Sequence, residues 1–266
     1  MTSILDNIYA AKRVEVRARR AIVSPMAIVA EAGRAPKPRD FVAALRARRP
    51  AIIAEIKRAS PSKGDIMPGL DPANVAREYV TGGAAAISVL TDVHFKGSLD
   101  DLRAVRAAVD VPLLRKDFIF EPYQVYEARA AGADCILLIA AMLKEGQLRS
   151  IAALARELGM ATLVESHDPG EFALAGKIGS GLVGINNRDL HTFATDIAVT
   201  ERLLADYRGD AVIVTESGID SPGDIRRLDA AGAHAFLIGE SLLRGATPGA
   251  KLVELMNAFG GALPRK

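Results

Sequence analysis

Eight short apolar runs mark the chain from residue 51 onward. They are A-I-I-A-E-I-K (51–57), A-A-I-S-V-L-T (85–91), V-P-L-L-R-K-D (111–117), C-I-L-L-I-A (135–140), A-T-L-V-E-S (161–166), L-V-G-I-N-N-R (182–188), A-V-I-V-T-E-S (211–217) and A-F-L-I-G-E (235–240), and their starts lie 21 to 34 residues apart. Each is continuously apolar rather than alternating, as expected of parallel strands buried on both faces. Between them, Asp71-Pro72, Glu121-Pro122, Asp168-Pro169, Ser221-Pro222 and Thr247-Pro248 read as helix starts, a cap followed by proline at the first helical position. Ser98-Leu99-Asp100-Asp101 resembles a capping box with Asp in place of Glu. The segment 127–140 matches 227–240 in layout, with 81–90 a fainter copy; in each a helix stops at a glycine and a buried strand begins. Eight such strand–helix units predict an α/β fold, a single closed (β/α)8 TIM barrel. A doubly wound open sheet is the alternative; the lack of a Gly-x-Gly-x-x-Gly turn argues against it.

Residues 1–50 fall outside the repeat, as a helical extension in which 2–33 form one or two amphipathic helices. The expected organisation is one domain, 1–266, with the barrel over 51–266. The R-A-R-R at 17–20 reads as a solvated helix face, because no aromatics interleave and Glu15 and Glu31 dilute the charge. A net charge of only +2 gives no global field for nucleic acid. The one cysteine, Cys135, excludes a disulfide framework, and inside an apolar run it reads as a small core residue. The N-terminus lacks the apolar region of a signal peptide, and no window approaches the roughly 18 apolar residues of a membrane span. A soluble, cytoplasmic protein with no membrane partner is expected.

The polar residues inside the runs are not scattered. Glu55 and Lys57 end the first run two residues apart, so both face one side. Lys116 ends the third, Glu165 the fifth, Asn186 and Arg188 the sixth, Glu216 and Ser217 the seventh, while the starts of the runs are nearly free of charge. Catalytic groups of such barrels stand at the C-terminal strand ends. A satisfied rim salt bridge explains any one of these groups; their convergence on one rim points to a polar active site.

After the seventh and eighth runs come T-E-S-G-I and I-G-E-S-L-L-R-G, small residues that let backbone N–H groups approach an anion. Loops at these places are the recurring phosphate site of the fold. The ligand should carry a phosphate held by the main chain of Ser217, Gly218, Gly239 and Glu240, with Lys57 and Lys63 supplying positive charge. His94, His167, His191 and His234 show no paired metal-ligand spacing; His167 and His191 fall near the rim and read as surface or hydrogen-bonded histidines.

Together these residues closely resemble the indole-3-glycerol-phosphate synthase family of tryptophan biosynthesis, over essentially the whole chain. The motifs that carry the resemblance are E-I-K-R-A-S-P-S-K-G (55–64), V-L-T-D-V-H-F-K-G-S (89–98), P-L-L-R-K-D-F-I (112–119), L-V-E-S-H-D (163–168), G-I-N-N-R-D-L (184–190), T-E-S-G-I (215–219) and F-L-I-G-E-S-L (236–242). The resemblance implies a carboxy-lyase that closes the pyrrole ring of 1-(2-carboxyphenylamino)-1-deoxyribulose 5-phosphate with loss of carbon dioxide and water, using no cofactor or metal. It implies Lys116 as general acid for ring closure and Glu165 as second acid. Glu55 and Asn186 would position the hydroxyls and the lysine. Lys57, Ser60, Arg188 and Glu216 would bind and orient the substrate. Phe95, Phe118, Leu163 and Leu190 are candidates for the apolar wall beside the anthranilate ring, with plain core packing as the competing reading.

Two expectations follow from the charges. Lys57 and Lys116 facing one pocket should lower each other's pKa, with Glu55 opposing, so that a basic limb of activity reports Lys116. The loop at 60–66 and the N-terminal helices are candidates to close over the mouth. The alternatives are a phosphoribosylanthranilate isomerase-like sibling, which needs a cysteine–aspartate pair, and a non-catalytic phosphate-binding barrel. A monomer or weak homodimer is expected, with a phosphorylated small molecule as ligand.

Overall fold

The computed structural model describes residues 4–60, 64–189 and 192–260. Eight parallel strands close into a barrel in chain order: β1 (Ala51–Ile56), β2 (Ala86–Leu90), β3 (Leu113–Lys116), β4 (Cys135–Ile139), β5 (Ala161–Ser166), β6 (Gly181–Asn186), β7 (Val212–Glu216) and β8 (Ala235–Ile238), the last pairing with β1. Each begins within two residues of a run read from the sequence. Before the barrel come α1 (Ile4–Ile22), α2 (Pro25–Arg34) and α3 (Phe41–Arg46). Around it run α4 (Pro72–Thr81), α5 (Leu99–Ala108), α6 (Pro122–Ala130), α7 (Glu145–Glu157), α8 (Pro169–Ile178), α9 (Ala198–Leu204), α10 (Pro222–Ala230), α11 (Glu240–Leu243) and α12 (Pro248–Met256). The side chains of Asp71, Ser98, Asp168, Ser221 and Thr247 each accept a backbone N–H in the first helical turn. At Glu121 the Gln124 side chain also accepts the Glu121 N–H, at 3.3 Å.

The continuous apolar runs conceal an alternation that the closed sheet reveals. Ile52, Ala54 and Ile56 face the helices in one apolar cluster, whereas Ala51 and Ile53 belong to a second cluster inside the barrel. That inner cluster holds Leu114, Cys135, Leu137, Leu163, Leu182, Val214 and Leu237, so the barrel is a packed core up to the level of the site. Phe41 and Leu45 of α3 join the same inner cluster, and α3 packs on β1, β2 and β7.

Along α1, Ile8, Lys12 and Val16 form a buried stripe at helical spacing. Lys12 is fully buried, with Nζ 2.6 Å from Asp92, 2.9 Å from Asp117 and 2.8 Å from Glu15. Arg19 pairs with Glu127 at 2.7 Å and Arg20 with Glu121 at 3.3 Å. Two of the three arginines in R-A-R-R therefore fasten α1 to the barrel's own acids, a correction to the reading of a wholly solvated face. No helix among the described residues is long and apolar enough to cross a membrane.

Candidate active site

The last inward positions of the strands carry the polar side chains: Glu55 on β1, Lys116 on β3, Glu165 on β5, Asn186 on β6 and Glu216 on β7. They meet in a cavity of about 560 Å³ at the C-terminal end of the barrel. The Lys116 ammonium lies 3.0 Å from Glu165 and 3.1 Å from Glu216. Asn186 Nδ2 donates to the other oxygen of Glu165 at 3.3 Å, and Lys57 Nζ donates to Glu55 at 2.5 Å. Two glycines leave room for these carboxylates. A Cβ on Gly184 would stand 2.9 Å from Glu216 Oε1, and one on Gly239 would strike the Glu55 carboxylate.

The electrostatics reverse one expectation. Burial alone would lower the Lys116 pKa, but Glu165, then Glu216 and Glu55, more than offset it and push the ammonium's pKa well above its ordinary value. A basic limb of activity therefore does not report Lys116: three carboxylates outweigh one neighbouring lysine. Burial works to raise the Glu165 pKa; Lys116 and then His167 overcome it and hold that carboxyl far below the usual range. Glu216 goes the other way. Burial and the nearby charges of Glu165 and Glu55 outweigh Lys116 and push it up to about 8. The arrangement thus favours a cationic Lys116 and an ionised Glu165, with Glu216 the carboxyl of the pair that more readily keeps a proton.

His167 is hydrogen-bonded, as one of the two sequence readings had it. Its Nδ1 is 3.1 Å from Glu171 and its Nε2 is 3.3 Å from Glu165. Burial opposes its charge, but Glu165 and Glu171 raise its pKa to about 10. A histidine raised in the folded state contributes stability that is complete below the unfolded value near 6.5 and lost as pH climbs toward about 10. Melting temperature should therefore fall across that window, and His167→Asn should flatten the fall. Differential scanning calorimetry at stepped pH checks it, and an unchanged slope in the variant would count against the charged imidazole.

Phe95 and Phe118 line the cavity with ring centroids 6.5 Å apart. Leu163 does not: it is fully buried two residues below Glu165, inside the barrel core. Leu90, Leu137, Ile139 and Leu237 form the strand-borne apolar wall instead, joined by Leu5 and Ile8 of α1 at the mouth. Sequence reading passed over these, although their inward register with the polar residues was a usable signal. Leu190, Lys63 and His191 lie outside the described residues. Ser60 is buried and lines the cavity, and its Oγ has no hydrogen-bond partner among the described residues. The adjoining backbone folds as a short ribbon in which Ala59 pairs with Asp65 and Ser60 with Gly64.

At the ends of β7 and β8, Ser217, Gly218, Gly239 and Glu240 line the same cavity. Ser217 and Gly218 are both left-handed, with φ of 68° and 78°. Asn187 Nδ2 holds that turn through the Ser217 carbonyl at 3.1 Å. Arg188 reaches Glu240 at 3.5 Å, and Arg244, which sequence reading missed, at 2.8 Å. Both guanidinium groups stand beside these turns. Lys57, just past the end of β1, is held instead by Glu55.

The family described as indole-3-glycerol phosphate synthase matches residues 5–255 of this chain. The chain belongs to that family. Proteins named indole-3-glycerol phosphate synthase from Polaromonas sp. (strain JS666) and from Chromobacterium violaceum are 49% and 48% identical to it, covering 96% and 97% of this chain and 98% and 99% of theirs. A tryptophan synthase complex and a thiamine phosphate pyrophosphorylase, both from Pyrococcus furiosus, share only the fold. Their TM-scores are 0.58 and 0.60 at 15% and 14% identity, over 79% and 82% of this chain and 99% and 97% of theirs. As an indole-3-glycerol phosphate synthase, the chain is a carboxy-lyase of tryptophan biosynthesis that closes the pyrrole ring of the carboxyphenylamino-deoxyribulose phosphate with loss of carbon dioxide and water. The isomerase alternative lacks its cysteine as well: Cys135 is fully buried, and burial pushes its thiol pKa up.

Proposed function

We propose that Lys116 donates the proton to the ketone oxygen as the anthranilate carbon attacks, and that Glu165 acts as the acid that removes the resulting hydroxyl. The observation that carries this reading is the 3.0 Å pair they form at the cavity floor. An ammonium placed there stabilises the developing oxyanion and can also protonate it. Glu165 is ionised at rest and must be protonated within the catalytic cycle before it can act. Glu55 and Asn186 orient these two groups, and Glu216 shares the lysine. Phe95 and Phe118 hold the anthranilate ring, while Lys57, Ser60 and Arg188 hold the substrate's polar groups. The phosphate rests on the N–H groups of Ser217, Gly218, Gly239 and Glu240. The chain acts without a cofactor, as one cytoplasmic domain, monomeric or weakly dimeric.

The test is fluorescence-monitored indole formation with EDTA present, comparing wild type with Glu165→Gln. The amide preserves shape but cannot carry a proton, so kcat should fall by about 100-fold or more with substrate affinity kept. A Gln variant within a few-fold of wild type would remove Glu165 from the acid role.

A further inference from the structure

The reaction consumes a proton. The ionised carboxylate departs as neutral carbon dioxide, and the electron pair of the broken C–C bond returns to the ring. The ketone oxygen departs as water and so gathers two protons, while the methylene carbon beside the nitrogen gives up one, which the Lys116 amine, left neutral by ring closure, can take back. Nothing is oxidised or reduced, and one proton must enter from solution in each turnover.

The resting site limits where that proton can come from. In the proposed reading Lys116 gives its proton to the oxyanion, and Glu165 can protonate the hydroxyl only after receiving a proton itself. Among the described residues two titratable N–H groups face the Glu165 carboxylate: Lys116 Nζ donates to Oε2 at 3.0 Å, and His167 Nε2, buried and with no hydrogen-bond partner, stands 3.3 Å from Oε1. The third neighbour, the Asn186 amide, does not titrate. The ring of His167 is aimed from behind. Glu171 accepts both its backbone N–H, at 2.8 Å, and its Nδ1–H, at 3.1 Å. Among the described residues the charged groups facing His167 are Glu165, near the end of β5, and Glu171 on α8; Lys116 on β3 acts on Glu165, and Glu216 on β7 and Glu55 on β1 act on Lys116. Glu171 keeps 20% of its side chain at the surface and His167 13%, so the pair bridges the buried carboxylate and solvent.

We propose that His167 is the proton store of this site: its imidazolium passes the Nε2 proton to Glu165, which delivers it to the departing hydroxyl. The neutral imidazole left behind keeps its Nδ1–H on Glu171 and is recharged from solvent before the next turnover. The imidazolium is well suited to wait in this position, since its two carboxylate neighbours hold it charged through the neutral range.

The assignment rests on Glu165 being the dehydration acid, and the experiment separates the two. In a single turnover followed by stopped flow with a pH indicator, before released carbon dioxide hydrates, wild type should show indole fluorescence ahead of proton uptake from the bulk. In His167→Asn the two signals should coincide, kcat should fall by about 100-fold, and KM should stay near wild type. Added imidazole should restore part of the rate to His167→Ala. Uptake that coincides with product formation in wild type overturns the store, and so does a folded His167→Asn with wild-type kcat. If Glu165→Gln is inactive while His167→Asn is fully active, only this inference falls; an active Glu165→Gln removes the reading beneath it.

Discussion

Lys116→Met should leave a folded protein that binds its substrate and turns it over about three orders of magnitude more slowly. Methionine fills the space of the lysine stem but brings neither charge nor proton. The oxyanion formed at ring closure then has no cation at the cavity floor, and that stabilisation is the largest single term in catalysis of this kind. Binding should survive, because the turns after β7 and β8 proposed for the phosphate lie elsewhere and the rings of Phe95 and Phe118 stay in place. The variant should also shift the carboxylates. With the cation gone, Glu165 loses the partner that does most to keep it ionised, so its carboxyl should move back up from its depressed range. The measurements are kcat from indole fluorescence and the heat of binding the product, indole-3-glycerol phosphate. A variant that keeps more than a tenth of the wild-type rate would remove Lys116 from the donor's role.

Lys12→Met should cost about 3–5 kcal/mol of folding stability, the usual penalty for removing one partner of a buried ionic group. The lysine is fully buried, and so are its partners Asp92 and Asp117. Asp117 retains Arg115 at 2.8 Å, whereas Asp92 is left with His94. For a chain of this size the melting temperature should drop by roughly 10 °C. Replacing Asp92 by Asn in the same variant should recover much of it, since the carboxylate left without a cation goes with the lysine while Asp117 keeps Arg115. Denaturant titration of the single and double variants measures this directly, and a loss below 1 kcal/mol would mean that water or rearrangement replaces the lysine. The acid branch has a clear sign as well. Burial works to raise the Asp117 pKa, but Arg115 and Lys12 hold it far below the usual range, so its contribution is present above its ordinary value and lost as pH falls.

The fold was legible because a parallel barrel writes itself as apolar runs with helix caps between them. The floor of the site was legible for a related reason: the period of two in a strand places Glu55 and Lys57 on one side, and a charge that ends an apolar strand needs a partner or a ligand there. What could not be read depended on distances across the barrel. The sequence sets Lys116 beside Lys57 and one opposing Glu55. Only closure brings Glu165 and Glu216 to within 3.1 Å of the same nitrogen and reverses the expected shift. Leu163 was misplaced because strand direction alone does not tell which inward layer is the last one covered. Lys12 was overlooked although it interrupts an apolar stripe, a position where a lysine calls for a buried acid.

The interior of the barrel is stoppered by residues that belong to none of its eight units. Phe41 and Leu45 arrive from the segment ahead of β1 and close the end opposite the cavity. A version that starts at Ala51 would lose this cork and expose the lowest layer of the packed interior, Ala51, Ala85 and Ala235 among it, to water. For anyone transplanting this barrel, the portable unit therefore includes what precedes the repeat: the plug, and the α1 lysine that Asp92 and Asp117 require.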